Sequence, residues 1–270
     1  MAAELAMPAI SIGDVNIYYE DEGQGPPLML VPGLAGQGSF WVSQVPDFSR
    51  DFRTIVHDHR GAGRSTHSRI TYSVEQMADD TLGLMDALGV DTAHFVGHST
   101  GGAIGQVIAT DHPDRLRSLV LSATWAGPDP FFRRLFESRK RTLLDSGVEA
   151  YLRASVLFQA TPKWVSEHDE SIGELHRVTA ASYAPVEVVA SRIDAIVRHD
   201  RRRRLSEIRV PTLVVVARDD MITPPFYSEE LASAIPGAKL VVLEGGGHFS
   251  PAIHAGPYNA TVGAFLRAVR

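Results

Sequence analysis

"HFVGHSTGGAIG", residues 94–105, is the stretch on which the reading of the fold turns. An apolar run ends at Ser99, and a run of small residues suited to a helix begins at once. Gly97 and Gly101 flank the serine at two residues' distance on either side. Read as strand, sharp turn and helix, the stretch is a G-x-S-x-G pattern in the setting that lifts a hydroxyl clear of a sheet. Glycine carries no Cβ, so backbone and neighbouring elements can close around such a turn. The helix start behind Ser99 supplies N–H groups for a developing negative charge. The five-residue pattern alone fits any glycine-rich turn. The strand before it and the helix after it carry the reading of Ser99 as a nucleophile.

Outward from this turn, short apolar runs alternate with helical patterns. ISIGDVNIYYEDEG reads as two strands joined at Gly13 and Asp14, and PPLMLVPG and FRTIVHDHRG as buried strands. From Ser73, the residues Val74, Met77, Ala78, Thr81, Leu82, Met85 and Leu88 recur at helical spacing, with Gly89 as the stop. LRSLVLSAT, TLVVVARDD and AKLVVLEGG read as further strands, and residues 257–270 as a closing helix. Strands apolar on both faces and separated by helices indicate a mostly parallel, eight-stranded sheet covered on both sides. The alternation stops between residues 125 and 205, where helices are expected over 131–146, 148–158 and 172–199. The expected organisation is therefore a core of residues 1–124 and 206–270 with a helical cap, 125–205. In open sheets of this kind, ligands bind at the carboxyl ends of the strands. An insertion leaving such an end would cover the same crevice.

Composition narrows the function. The chain has 270 residues, 44% of them hydrophobic, enough for one large domain with an insertion. A net charge of −6 leaves no basic footprint for nucleic acid. The one basic run, residues 201–204, sits beside Asp200 and Glu207 and is expected to be solvated. With no cysteine, disulfides, thiolate metal sites and a cysteine nucleophile are excluded, and a reducing cytoplasm is the expected setting. MAAELAMPAI at the start has no basic residue, and no long apolar segment follows it. Neither a signal peptide nor a membrane span is expected.

A serine hydroxyl is a weak nucleophile and needs a base. Of the 11 histidines, His248 stands apart. It follows three glycines just after the last strand, at the sheet edge where Ser99 is expected to lie. His57, His59, His98, His112, His168, His199 and His254 read as structural. The strand TLVVVARDD, the one before the last, ends in Asp219 and Asp220, either of which could orient the His248 imidazole. The chain order of serine, acid and histidine suits this architecture.

At this point the chain resembles the α/β-hydrolase superfamily over nearly its whole length. The matching stretches are LMLVPGLAG, HDHRGAGRS, FVGHSTGG, ARDDMITPP and GGGHFSP. The resemblance implies Asp220 as the acid, four residues before Pro224. It implies the backbone N–H groups of Thr100 and Leu34 as an oxyanion hole. Where the family usually has His-Gly before the second donor, this chain has Pro32-Gly33, which alters a supporting side chain but not the donor. The mechanism implied is acyl transfer through an acyl-enzyme, without metal or organic cofactor. A serine at the elbow argues against the dehalogenase and epoxide-hydrolase branches.

RKRTLLDSGVEAYLRASVLFQATPKWVS in the insertion, and LSEIRVPTLVVVARDD followed by SEELASAIPGAKLVVLEGGGH, resemble the aminoacrylate/carbamate hydrolases of pyrimidine catabolism, and the overall length and cap resemble the 3-oxoadipate enol-lactonase-like hydrolases. That implies a small ester, lactone or C–N substrate bearing a carboxylate, with water and the small molecule as partners; a homodimer stays open. Arg is suited to grip a carboxylate. Arg133, Arg134, Arg139, Arg141, Arg153 and Arg192 all lie in the insertion and any one could fill that role; Arg139 is carried among the candidate pocket residues with Phe40, Trp41, Trp125, Trp164 and Tyr183. The same elbow also fits a perhydrolase or cofactor-free haloperoxidase or dioxygenase, or a ligand receptor without turnover. Peroxide or oxygen dependence marks the former, and a single stoichiometric event the latter.

Overall fold

The structure is a computed structural model that describes residues 9–269. The expectation concerning a leader therefore falls mostly outside the described residues, as does Arg270. The strands are β1 (Ala9–Ile12), β2 (Val15–Glu22), β3 (Pro27–Val31), β4 (Arg53–His57), β5 (Ala93–His98), β6 (Leu116–Ser122), β7 (Thr212–Ala217) and β8 (Lys239–Leu243). They form one eight-stranded sheet in the order β1-β2-β4-β3-β5-β6-β7-β8. β1 and β2 form the hairpin read at Gly13, β2 joins β4 antiparallel, and the remaining pairs are parallel. The nucleophile candidate thus leaves the carboxyl end of a central strand.

Alternation along the strands sorts side chains into two layers, as a period of two requires. Leu28, Leu30, Val96, Val120 and Val215 pack with Trp41, Phe48, Tyr258, Val262 and Leu266 on one face. Met29, Val31, Phe95, Leu119 and Val214 pack on the other. The first face is covered by α1 (Val45–Phe48) and α10 (Ala255–Ala268), the second by α2 (Val74–Ala87), α3 (Thr100–Asp111) and α8 (Pro225–Ala234). Each large side chain taken wholly from water, such as Leu28 or Phe95, contributes roughly 1.5–3 kcal/mol. α2 begins where the sequence indicates: Ser73 Oγ accepts the Gln76 N–H at 3.0 Å as an N-cap.

Between β6 and β7 the chain is helical throughout: α4 (Pro130–Gln159), α5 (Pro162–Glu167), α6 (Asp169–Ala181) and α7 (Val186–Arg198). α4 is broken at Gly147, with φ 81°, matching the expected division of 131–146 from 148–158. The single helix expected over 172–199 is instead two, α6 and α7. Pro185 disfavours helical geometry in the residue before it and opens α7. α5, capped by Thr161, and α8 were not anticipated from the sequence. A short helix, α9 (Ser250–Ile253), follows the last glycine loop.

The arginine run is not the solvated stretch expected. Arg201 is buried and pairs with Glu75 at 3.1 Å and Asp111 at 3.0 Å. Arg202 pairs with Glu230 at 2.6 Å, and Arg204 with Glu207 and Asp111. These pairs tie the end of the insertion to α2, α3 and α8. Among the described residues, no helix is long and apolar enough to cross a membrane.

Candidate active site

Ser99 sits between β5 and α3 with φ 54° and ψ −115°, a conformation costing a non-glycine residue roughly 1–3 kcal/mol. The surroundings enforce it. A Cβ on Gly97 would lie 2.2 Å from the Gly101 oxygen, and one on Gly101 would lie 2.1 Å from the Val31 oxygen. Both positions therefore demand glycine. The Ser99 N–H donates to Ser122 O at 2.8 Å, and Thr124 Oγ1 donates to Ser99 O at 2.7 Å, so the turn is bolted to the end of β6.

His248 lies in the loop after β8, almost wholly buried. Its Nδ1 is 2.8 Å from Asp220 Oδ2, in the loop after β7. Asp220 Oδ1 accepts the N–H groups of Ile222 and Thr223 at 2.8 and 2.9 Å, and its Oδ2 accepts Thr223 Oγ1 at 2.9 Å. The carboxylate is thus fixed before it meets the ring. Thr223 had no signal in the sequence reading. Asp219 is exposed and accepts the Gly247 N–H at 2.9 Å, bracing the glycine loop.

With Nδ1 facing Asp220, the opposite ring nitrogen of His248 is free to act as base. The His248 ring lies 4.8 Å, centre to centre, from the ring of His98, the residue before Ser99. Among the described residues, Ser99 Oγ makes no hydrogen bond. Free enzymes often hold the hydroxyl–imidazole contact long and tighten it on binding substrate. Neither the Thr100 nor the Leu34 N–H donates to a protein acceptor among the described residues. Both donors named in the sequence reading are therefore unspent.

Phe40 stacks on His98 at 4.8 Å and meets Phe249 edge-on at 5.6 Å, beside His248. Trp41 and Trp125 are fully buried core side chains: Trp41 lies edge-on to His98 at 6.3 Å and beside Tyr258, and Trp125 packs against Phe132 and His199. Trp164 stacks on His168 in a satellite cluster with Val156 and Ile172. Tyr183 is half-buried, its ring 6.3 Å from that of Tyr151, and burial raises its phenol pKa. Arg139 is buried on α4. An open surface hollow of about 460 Å³ along α4, lined by Arg134, Glu137 and Arg141 among others, touches none of these residues.

Arg192, one of the six insertion arginines considered for carboxylate capture, is engaged with backbone carbonyls. This fully buried residue of α7 donates to Leu34 O at 3.0 Å and Arg60 O at 2.6 Å, and its Nη2 lies 3.1 Å from His59 Nδ1. Burial lowers its pKa to about 10. The insertion is thereby held to the loop that carries Leu34. Among the described residues, no group of three or more His, Asp or Glu side chains gathers as a metal site.

Several histidines are buried neutral. Burial holds His98 well below the ordinary range, and the neighbouring His248 pushes the same way. Burial and then the Arg192 charge do likewise for His59. His57, His94 and His199 are lowered to about 4, chiefly by burial. In the unfolded chain these rings take up protons below about pH 6.5. The unfolded state then binds more protons than the folded one. Stability is full above that pH and falls as pH drops toward 4, by up to about 1.4 kcal/mol per histidine per pH unit. Urea midpoints should fall steeply between about pH 7 and about pH 5; a flat profile would mean that these rings are already charged in the fold.

With this geometry in view, comparison with known proteins is decisive for the family. A family model described as the alpha/beta hydrolase fold matches residues 26–255. The chain belongs to that family. It is an enzyme of the hydrolase type, with the eight-stranded, mostly parallel sheet of the α/β-hydrolase fold. It is 39% identical over 253 residues to a protein of Azorhizobium caulinodans named "Putative carbamate hydrolase RutD", covering 94% of this chain and 96% of that one. The crystal structure of the enol-lactonase from Burkholderia xenovorans matches with a TM-score of 0.89 at 30% identity, covering 96% of this chain and 100% of that one. A thermophilic esterase from Thermogutta terrifontis, solved with malate bound, matches with a TM-score of 0.87 at 29% identity, covering 97% and 99% of the two chains. Carbamate-hydrolase and enol-lactonase relatives agree with the resemblance stated from the sequence.

Proposed function

We propose that this α/β hydrolase is a cofactor-independent serine hydrolase that forms an acyl-enzyme on a small ester, lactone or carbamate-like C–N substrate bearing a carboxylate. Ser99 is the nucleophile, His248 the general base and acid, and Asp220 the group that orients and stabilises the imidazolium. The Ser99 hydroxyl proton passes to His248 Nε2 as Oγ bonds to the acyl carbon. The carbonyl electron pair moves onto oxygen, where the Leu34 and Thr100 N–H groups receive it. Each such donor is commonly worth roughly 3 kcal/mol of barrier. Collapse of the tetrahedral species expels the leaving group, which takes the proton from His248. Water then adds to the acyl-enzyme and gives its proton to His248; the second tetrahedral species collapses, His248 returns the proton to Ser99 Oγ, and the acid is released.

The observation that carries this reading is the buried Asp220–His248 pair at 2.8 Å beside a serine held in a strained turn. The two unspent N–H donors support it. The carbamate-hydrolase and enol-lactonase names of relatives support the bond types, and the malate bound to the esterase relative supports a carboxylate on the substrate. In this reading, residues 125–205 act as a cap. Support comes from α4, whose Gln159 carbonyl accepts the Phe249 N–H at 2.9 Å beside His248, and from Arg192 on the Leu34 carbonyl. A small molecule and water are the reaction partners, and the absence of cysteine fits a cytoplasmic setting.

A fluorophosphonate probe tests the proposal together with a panel of small lactones, enol esters, carbamates and aryl esters. One covalent adduct on the Ser99 peptide is expected, with steady multiple turnover in the absence of peroxide. An unlabelled Ser99, or a single stoichiometric release, would overturn it.

A further inference from the structure

The insertion contains a cation that the fold leaves unanswered. Arg139, on the first half of α4, is 6% exposed. Its Nη2 reaches Tyr151 OH at 3.1 Å and Ser155 Oγ at 3.3 Å, both on the second half of α4, beyond the Gly147 break. Its Nε is buried and bonded to nothing. Among the described residues, no carboxylate pairs with it. Other buried arginines are served differently: Arg60 by Asp80, Arg201 by Glu75 and Asp111, and Arg192 by two backbone carbonyls.

Burying an unpaired charge is expensive, and the usual remedy is a partner. Here the surroundings offer no acceptor that carries charge. Tyr151 and Ser155 accept from the guanidinium, which leaves their own O–H protons to donate. The Ser155 hydroxyl donates to no protein acceptor among the described residues, and the Tyr151 hydroxyl neighbours that of Tyr183. The convergent groups are thus a cation and two hydroxyl donors, a set complementary to an anion with several acceptor oxygens. The Phe136 and Tyr151 rings lie 5.0 and 5.4 Å from the guanidinium carbon and hold it in place.

Short chains of neighbours link the cluster to the proposed chemistry. Ser155 is one helical turn, about 5.4 Å, from Gln159, whose carbonyl accepts the N–H of the residue after His248. On its other side, the Tyr151 ring neighbours Tyr183, whose phenol feels the charges of both Arg139 and Arg192. Arg192 in turn grips the Leu34 carbonyl. The cationic cluster is thus linked through these neighbours to both the histidine loop and the Leu34 loop.

We infer that Arg139, with Tyr151 and Ser155, forms the subsite that receives the carboxylate of a short substrate and so determines which molecules Ser99 acts on. The inference rests on the proposed hydrolase reading. It assigns Arg139 to specificity, not to bond breaking.

A matched pair of probes tests it: the mono-para-nitrophenyl ester of succinic acid, which keeps a free carboxylate, and its methyl ester, which does not. The wild-type enzyme should prefer the acid. Arg139→Met should lower kcat/KM for the acid by about 10- to 100-fold, the range expected for a charged hydrogen-bonded pair, chiefly through KM. The same variant should leave the methyl ester nearly unchanged, and Arg139→Lys should restore part of the loss. Tyr151→Phe and Ser155→Ala, milder changes, should each weaken the acid selectively and carry the test if Arg139→Met does not fold. Equal losses on both probes, or no wild-type preference for the acid, would overturn the subsite while leaving the hydrolase reading intact. Failure of the wild type to turn over either probe, with Ser99 unlabelled by the phosphonate, would instead overturn both.

Discussion

Ser99→Ala is expected to lower kcat by about a millionfold, the scale on which removing a nucleophile disables such a site, while the protein stays folded. The two halves of this expectation have separate grounds. Chemically, Ser99 alone carries its hydroxyl on the strained turn at the head of α3, one residue after His98, whose ring lies 4.8 Å from that of His248. Thermodynamically, Ser99 Oγ makes no hydrogen bond among the described residues, so its removal strands no partner. Alanine at φ 54° carries the same backbone strain as serine, so stability should change by less than about 1 kcal/mol. The measurement is a rate on the preferred ester beside a thermal melt. Retained turnover would remove Ser99 from the mechanism, and loss of rate with loss of folding would make the residue structural.

Asp220→Asn is expected to cost about ten-thousandfold in kcat. The substituted side chain keeps an oxygen for the Ile222 and Thr223 N–H groups, so the loop should hold its shape. The change falls on the other side. An amide NH2 in place of Oδ2 offers His248 Nδ1 a donor where it had an acceptor. The ring is then driven to the tautomer whose Nε2 carries a proton and cannot take one from Ser99. Asp219→Asn is the control: that carboxylate only braces Gly247 from an exposed position, and its loss should cost less than about tenfold. A larger loss at Asp219 than at Asp220 would reverse the assignment.

Much of the fold could be read from the sequence because its signals are local. Strand periodicity, the Ser73 cap and the glycines around Ser99 each act within a few residues. The glycines prove to be steric necessities, since a Cβ at Gly97 or Gly101 would overlap backbone atoms. Asp220 and His248 could be located because each follows a recognisable strand. The insertion was harder to read. Apolar spacing continues through residues 172–199, and only Pro185 marks the separation of α6 from α7. The pocket side chains were harder still, because what surrounds an aromatic or an arginine is set by distant segments. Trp41 and Trp125 are core side chains. Arg192, one of several arginines in the insertion, proved to hold Leu34 from 158 residues away. The run at 201–204 looked solvent-bound because its acidic partners on α2 and α3 are remote in sequence.

The grip of Arg192 on the carbonyls of Leu34 and Arg60 has a practical consequence for redesign. Changes that shift α7 would disturb the residue whose N–H, on the peptide just before that carbonyl, is to meet the oxyanion, so altered selectivity sought there would arrive with altered rate. α4 is not tied to that peptide by any such bond. Libraries aimed at new substrates are therefore better built around Arg139, Tyr151 and Ser155, with α7 left as it stands.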